Sequence, residues 1–225
     1  MADPAAGDIA ASAPAHGLSP AGRRGRYRGW ICALLFAATT INYMDRQVIG
    51  ILKPTLMADL GWNQVDYANI IFSFQAAYAI GYAGGGWFMD RVGTRLGYAA
   101  AVLGWSVAAM LHSCVRTVSG FSLVRFALGL TEGGNFPAAV KTISEWFPRQ
   151  ERALATGIFN SGSNVAVIIT PLLVPWIAAR WGWPTAFFVT GAFGLLWLPA
   201  WFGATLCAVV LARWLQRRAY ARAWP

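Results

Sequence analysis

The chain has 225 residues, of which 57% are hydrophobic and only 12% charged, with a net charge of +9. This balance, together with a mean hydropathy of +0.47, excludes a large soluble core and points to an all-α membrane protein. The basic excess does not mark a nucleic-acid partner, because it is distributed by membrane side rather than clustered on one patch.

Residues 1–28 read as a disordered cytosolic N-terminal tail. Their opening, "MADPAAGDIAASAPAHGLSPAG", lacks the basic-then-apolar order of a cleavable signal. Six apolar stretches follow, Trp30 to Ile51, Tyr67 to Met89, Leu96 to Val115, Ser119 to Ile143, Ala153 to Ala178 and Thr185 to Ala212. Each is long enough to cross roughly 30 Å of hydrocarbon as a helix. Their unbroken apolar character, with frequent Gly and Ala, suits packed helices rather than alternating barrel strands. Residues 29–212 are therefore expected to form a six-transmembrane-helix bundle, and residues 213–225 a basic cytosolic C-terminal tail.

The first span contains "NYMDR", which places Asp45 and Arg46 where a lipid-facing helix carries neither. Asn42 and Arg46 are four residues apart and share a face, with Asp45 at a nearby angle. The second span ends in "GWFMDRVGTR". The fourth carries Arg125 and Glu132, seven residues and two turns apart on one face, and the fifth repeats a polar spacing with Asn160 and Asn164. Cys32, Cys114 and Cys207 all fall within spans and read as buried apolar residues. His112 reads as an interfacial residue near an outer helix end. No metal-ligand spacing and no nucleophilic triad is evident, so an enzyme is the least favoured class, and no cofactor is expected.

Thirteen Lys and Arg lie in the termini and in the loops of one side, against Lys53, Arg116 and Arg180 on the other. This alternation predicts six spans with both termini cytoplasmic. The spans divide into two sets of three, and the first helix of each set carries an acid and a base. That recurrence predicts two inverted three-helix repeats of the kind found in secondary transporters. Depth agrees: Arg46 lies roughly 24 Å from the cytosolic start of its span, and Arg125 about 9 Å from the outer start of one running the other way. An ionised group at a helix centre costs roughly 2.5–3.5 kcal/mol, so these four must face one another or water. If Asp45 and Glu132 pair with Arg125, Arg46 is left to receive an anion, its planar fork suiting a carboxylate or phosphate.

The segment "GWFMDRVGTR" resembles the signature of the major facilitator superfamily in the loop between its second and third helices. Here Gly86 is expected to permit close helix approach and Gly93 the turn, while Asp90 holds the inward side shut against a neighbouring helix end. Arg91 and Arg95 complete the motif. "NYMDR" and "RFALGLTEGGNFPAAVKTISEWFP" resemble the anion:cation symporter branch, particularly bacterial hexuronate and galactonate proton symporters. The resemblance covers residues from about 30 to about 200. It implies one half of a major facilitator fold in a bacterial inner membrane, carrying a small organic anion with protons. It further implies that Arg46 and Arg125 serve the carboxylate site and that Asp45 and Glu132 take part in proton coupling. Tyr43 and Tyr78 match aromatic positions near the site, and Asn160 lies where contacts to substrate hydroxyls are expected.

The family usually has twelve helices, so the resemblance implies a further six-helix half. The final stretch "GATLCAVVLARWLQRRAYARAWP" departs from the long linker expected there, as a frameshift, a premature stop or a split gene would give. Two alternatives stand beside proton symport: an exchanger or facilitator for another carboxylate or a phosphate ester, and a non-transporting membrane remnant.

Overall fold

The computed structural model describes the backbone of residues 20–223 and the side chains of residues 27–207. Among the described residues eight α-helices follow one another: α1 Pro20–Ile51, α2 Lys53–Leu60, α3 Gln64–Val92, α4 Thr94–Leu111, α5 Val118–Glu132, α6 Asn135–Trp146, α7 Arg152–Trp181 and α8 Trp183–Ala223. No strand occurs among the described residues.

Local chemistry explains most boundaries. Asn63 caps α3 by accepting from the backbone of Val65 and Asp66, and its own N–H donates to the Asp66 carboxylate, so a capping box fixes the start. Thr117 caps α5 through the Gly120 N–H at 3.1 Å. Gly93, at φ 84, turns the chain from α3 into α4 in a conformation that favours glycine.

Three expectations about the elements are corrected. The fourth span is not one helix: α5 and α6 are interrupted at Gly133 and Gly134. Pro137 lacks the N–H that the Gly133 carbonyl needs one turn on, and the Gly134 N–H instead closes a tighter bond on Thr131 O at 3.2 Å. Residues 20–28, expected in the N-terminal tail, are already helical in α1, and α8 continues to Ala223 through the expected C-terminal tail. The short helix α2 lies between the first two expected spans. Residues 1–19 of the expected tail lie outside the described residues.

Three segments, Thr94–Leu111, Arg152–Trp181 and Trp183–Cys207, are long and apolar enough to cross a membrane by length and composition. The helices α1 and α5 carry the charges, and those charges lower their apolar character. Burial is inside out. Asn42, Asp45, Arg125 and Glu132 are buried, while Phe72, Leu123, Leu172 and Leu196 stand exposed. A bundle in hydrocarbon turns its polar groups inward in this way. Trp30 and Trp87 at one end and Trp176 and Trp181 at the other are also exposed.

The principal packings are α3 on α5, α1 on α7 and α4 on α8, followed by α1 on α8 and α4 on α5. Exchanging the set α1, α3, α4 for the set α5, α7, α8 turns the first packing into the second and leaves the third unchanged. The same exchange turns the fourth into the fifth. A two-fold relation between the sets produces this closed pattern.

Glycine permits each principal packing. A Cβ on Gly133 of the α5–α6 break would lie 2.5 Å from Tyr82 N, one on Gly162 of α7 would lie 2.6 Å from Phe36 O, and one on Gly191 of α8 would lie 2.8 Å from Ser106 O. Gly86 does not have the close-approach role expected of it, since a Cβ there meets nothing within 4 Å. The close contact on that turn belongs to Gly85, whose Cβ would lie 3.2 Å from Gly134 Cα. Gly133→Ala should therefore destabilise the bundle by about 1–3 kcal/mol through overpacking against backbone, whereas Gly84→Ala, also in open space, should stay within about 0.5 kcal/mol. Unfolding of the two variants in mixed detergent micelles checks this contrast, and equal stabilities would refute the packing account.

Candidate functional site

The site is built from the inward stripes of α1 and α5, with α3 and α6 as walls. Arg125 and Glu132 occupy one face of α5, two turns apart, and both are buried. Arg46 reaches across from α1, where its Nε donates to Glu132 Oε2 at 2.7 Å. The pair is asymmetric in exposure, because the Arg46 side chain is 21% exposed and that of Glu132 is 0%. One face of the cation is thus open while its counter-ion is enclosed behind it.

Aromatic rings hold the guanidinium. Its central carbon lies 4.2 Å from the Tyr78 ring centroid, 4.9 Å from Tyr43 and 5.6 Å from Phe74, within cation–π range. The Arg125 guanidinium approaches the same Phe74 ring at 5.7 Å. The two arginines therefore converge on one side chain inside the bundle rather than turning outward.

The ion pairing differs from the one expected. Glu132 pairs with Arg46 and not with Arg125, and Asp45 makes no hydrogen bond. Adjacent residues on a helix point about 100° apart. Arg46 thus faces α5, whereas Asp45 turns to a separate buried position beside Thr190 and within electrostatic reach of Arg125. Both Asp45 oxygens, Arg125 Nε and Nη2 and Glu132 Oε1 are buried without hydrogen-bond partners. Unmet polar atoms are few in a folded interior, and their concentration here marks a candidate site.

A cavity of about 80 Å³ opens beside the pair. Of the residues expected at a substrate site, Tyr43, Arg46, Tyr78 and Asn160 line it, and Arg125 does not. Asn164, expected to extend the Asn160 stripe, is exposed and away from the cavity. Sequence reasoning missed Asn135 as a lining residue and left Asn42 as a stripe member only. Asn135 was legible solely as the polar residue just after the Gly133–Gly134 pair.

At the other end of α3, Asp90 Oδ1 pairs with Lys141 Nζ on α6 at 2.6 Å, and Lys141 also donates to Met89 O at 2.8 Å. The motif's remaining residues separate. Arg91 lies over the Trp87 ring at 5.0 Å and Arg95 over Phe202 at 5.7 Å, while Gly93 supplies the turn. Further corrections concern His112, Cys114 and Cys207. His112 is fully buried rather than interfacial, stacked on Phe187 at 5.0 Å with Nδ1 against Ala108 O at 2.8 Å. Cys114 and Cys207 are exposed, and only Cys32 is buried.

Removing one partner of a buried ion pair leaves the other uncompensated. Arg46→Met should therefore lower unfolding free energy by about 3 kcal/mol, and adding Glu132→Gln should return most of the loss. A double-mutant cycle in mixed micelles reads the coupling; additive effects of the two changes would show that the contact carries no net interaction.

Residues 35–221 match the Major Facilitator Superfamily. The hexuronate transporter of Escherichia coli (strain K12) is 34% identical over 174 residues, covering 77% of this chain and 40% of that protein. A probable galactarate/D-glucarate transporter of Bacillus subtilis (strain 168) is 33% identical over 190 residues, covering 82% and 42%. The galacturonate transporter of Dickeya chrysanthemi is 33% identical over 174 residues, covering 77% and 50%. The chain thus spans half or less of the length of these relatives. Among solved structures, the inward-facing, occupied form of a bacterial homolog to the human lysosomal transporter Spinster superposes with a TM-score of 0.70 at 20% identity, covering 80% of this chain and 44% of that one. The match at that identity concerns the fold alone. With a helical bundle of this packing and a superfamily match over most of its length, the chain belongs to the Major Facilitator Superfamily.

Proposed function

We propose that the chain forms a six-span bundle of a proton-coupled symporter for sugar-acid anions such as hexuronates, in a bacterial inner membrane with both termini cytoplasmic. The observation that carries this reading is the Arg46–Glu132 pair, in which a partly open guanidinium on the cavity wall is held by an enclosed carboxylate. The relatives, transporters of hexuronate and galacturonate and a probable transporter of galactarate/D-glucarate, support the substrate class.

In this mechanism Glu132 and an incoming carboxylate compete for the same cation. A proton on Glu132 cancels the negative charge that holds Arg46, and the guanidinium turns its donors to the substrate carboxylate as a charge-assisted bidentate partner. Loss of that proton restores the internal pair and expels the anion, which couples the two movements. Asp45, buried without a partner near Arg125, is a second proton carrier, and Arg125 holds the interior field positive so that an anion is favoured over a cation. Tyr43 and Tyr78 position the guanidinium, and Asn160 contacts the substrate from the rim.

The Asp90–Lys141 pair fastens α3 to α6 on the cytosolic side and, with Gly86, Arg91, Gly93 and Arg95, belongs to the gate. Alternating access requires a bundle to rock against another around a shared site. The partner in this proposal is a second six-helix bundle closing over the α3–α6 side.

Equilibrium binding of D-glucuronate to the chain in lipid nanodiscs tests the reading. Affinity should rise as the pH is lowered, and Arg46→Ala should weaken binding roughly 30- to 150-fold, the worth of a charge-assisted hydrogen bond of about 2–3 kcal/mol. Glu132→Gln should bind well at every pH. Undiminished affinity in Arg46→Ala would remove the proposed anion site, and pH-independent binding by the unaltered chain would leave an anion site without proton coupling.

A further inference from the structure

Two asparagines line the cavity, one with its amide unpartnered and one with its oxygen bound and its NH₂ only loosely held. Asn42 is 0% exposed, lines the cavity, and has no hydrogen-bond partner at either Nδ2 or Oδ1. A buried amide with both atoms unmet is destabilising unless something else completes it. Asn135 is 4% exposed and lines the same cavity from the α5–α6 break. Its Oδ1 accepts from the Tyr98 hydroxyl at 2.7 Å, while its Nδ2 makes only a long 3.5 Å contact to Thr39 Oγ1.

The Tyr98 bond has a directional consequence. With its oxygen bound to Tyr98, the amide turns its NH₂ the other way, where its one contact is the long one to Thr39, so Asn135 stands as a donor. Tyr98 itself is immobilised, with its ring 5.3 Å from each of Trp197 and Trp201. Those indoles are anchored in turn, because Trp197 Nε1 donates to Leu34 O at 2.8 Å and Trp201 Nε1 donates to Arg95 O at 2.9 Å. An aromatic cluster outside the cavity thus orients one polar group inside it.

Thr39, Asn42 and Arg46 lie on one stripe of α1, at spacings of three and four residues. Asn42 is roughly 6 Å along the helix axis from Arg46, a separation suited to a ligand whose carboxylate sits on the guanidinium and whose ring hydroxyls extend beyond it. We infer that Asn42 and Asn135, the latter oriented by Tyr98, form a hydroxyl-reading subsite that selects polyhydroxylated carboxylates over plain ones. This inference rests on the proposed anion site at Arg46 and adds the residues that set its selectivity. Asn42 offers both a donor and an acceptor and Asn135 a donor. A sugar hydroxyl, which both gives and takes a hydrogen bond, satisfies such a set, whereas a bare hydrocarbon ring leaves it unmet. Sites built in this way discriminate strongly, because the wrong ligand strands buried polar atoms.

The test compares D-glucuronate with cyclohexanecarboxylate, a ring carboxylate without hydroxyls, by equilibrium binding to the chain in nanodiscs. The unaltered chain should prefer glucuronate by tenfold or more, on the order of one buried hydrogen bond. Asn42→Leu and Asn135→Leu should each weaken glucuronate by about tenfold while leaving cyclohexanecarboxylate within about twofold. Tyr98→Phe keeps the packed ring and removes only the orienting hydroxyl, so it should shift the ratio in the same direction by a smaller factor. It also serves as the readout if a leucine variant does not fold. Equal weakening of both ligands, or no change of the ratio in any variant, overturns the subsite. Arg46→Ala separates the two readings, since it should weaken binding of both carboxylates by roughly 30- to 150-fold. Undiminished binding there defeats the anion site itself, whereas weakened binding there with an unchanged ratio in Asn42→Leu, Asn135→Leu and Tyr98→Phe defeats only the hydroxyl-reading subsite. Failure of the unaltered chain to bind either ligand defeats both.

Discussion

Taking charge out of water is the constraint on which this bundle depends. Helix α1 packs chiefly on α7 and α8, and α5 chiefly on α3 and α4. The Arg46–Glu132 bond joins two helices that are not each other's principal neighbours. Without a partner, each charge in hydrocarbon costs several kcal/mol. Both helices must therefore turn these side chains inward, and that requirement sets their rotation about their own axes. The rest of the packing follows from the orientation, with apolar faces outward and glycine where backbones meet.

The same electrostatic requirement divides the charged groups into two layers by exposure. Arg46 is partly open and held by rings. Arg125, Asp45 and Glu132 are enclosed. At the opposite end of α3 the Asp90–Lys141 pair is largely solvated. Its energetic worth is correspondingly small.

Close backbone approach ties these features together. The α5–α6 break, caused by Pro137 and its glycine neighbours, brings Asn135 to the cavity and lets α3 approach closely at Gly81 and Gly85. A continuous fourth helix would keep the register of Arg125 and Glu132 but lose that approach. The irregular backbone is buried within the bundle, where membrane proteins tolerate it.

Much of this was legible in the sequence. Apolar stretches located the long helices, because hydrocarbon thickness imposes a length on any segment that crosses it. The charged stripes of α1 and α5 marked Arg46 and Glu132 as groups that must turn inward, because intramembrane charge is costly when it faces lipid. The resemblance of "GWFMDRVGTR" to the superfamily signature placed the turn at Gly93. Sequence could not assign the ion pairs. Helical periodicity gives the face a residue occupies but not which side chain from another helix meets it, so Glu132's choice of Arg46 over Arg125 was decided by packing. Tertiary structure also decided which glycines matter, Gly85 rather than Gly86, since one residue of helical rotation separates a close contact from open space. It likewise decided that Tyr98, remote in sequence and apolar in setting, orients Asn135. That relation depends on two helices from different halves of the chain meeting at one point, and no local pattern of residues encodes such a meeting.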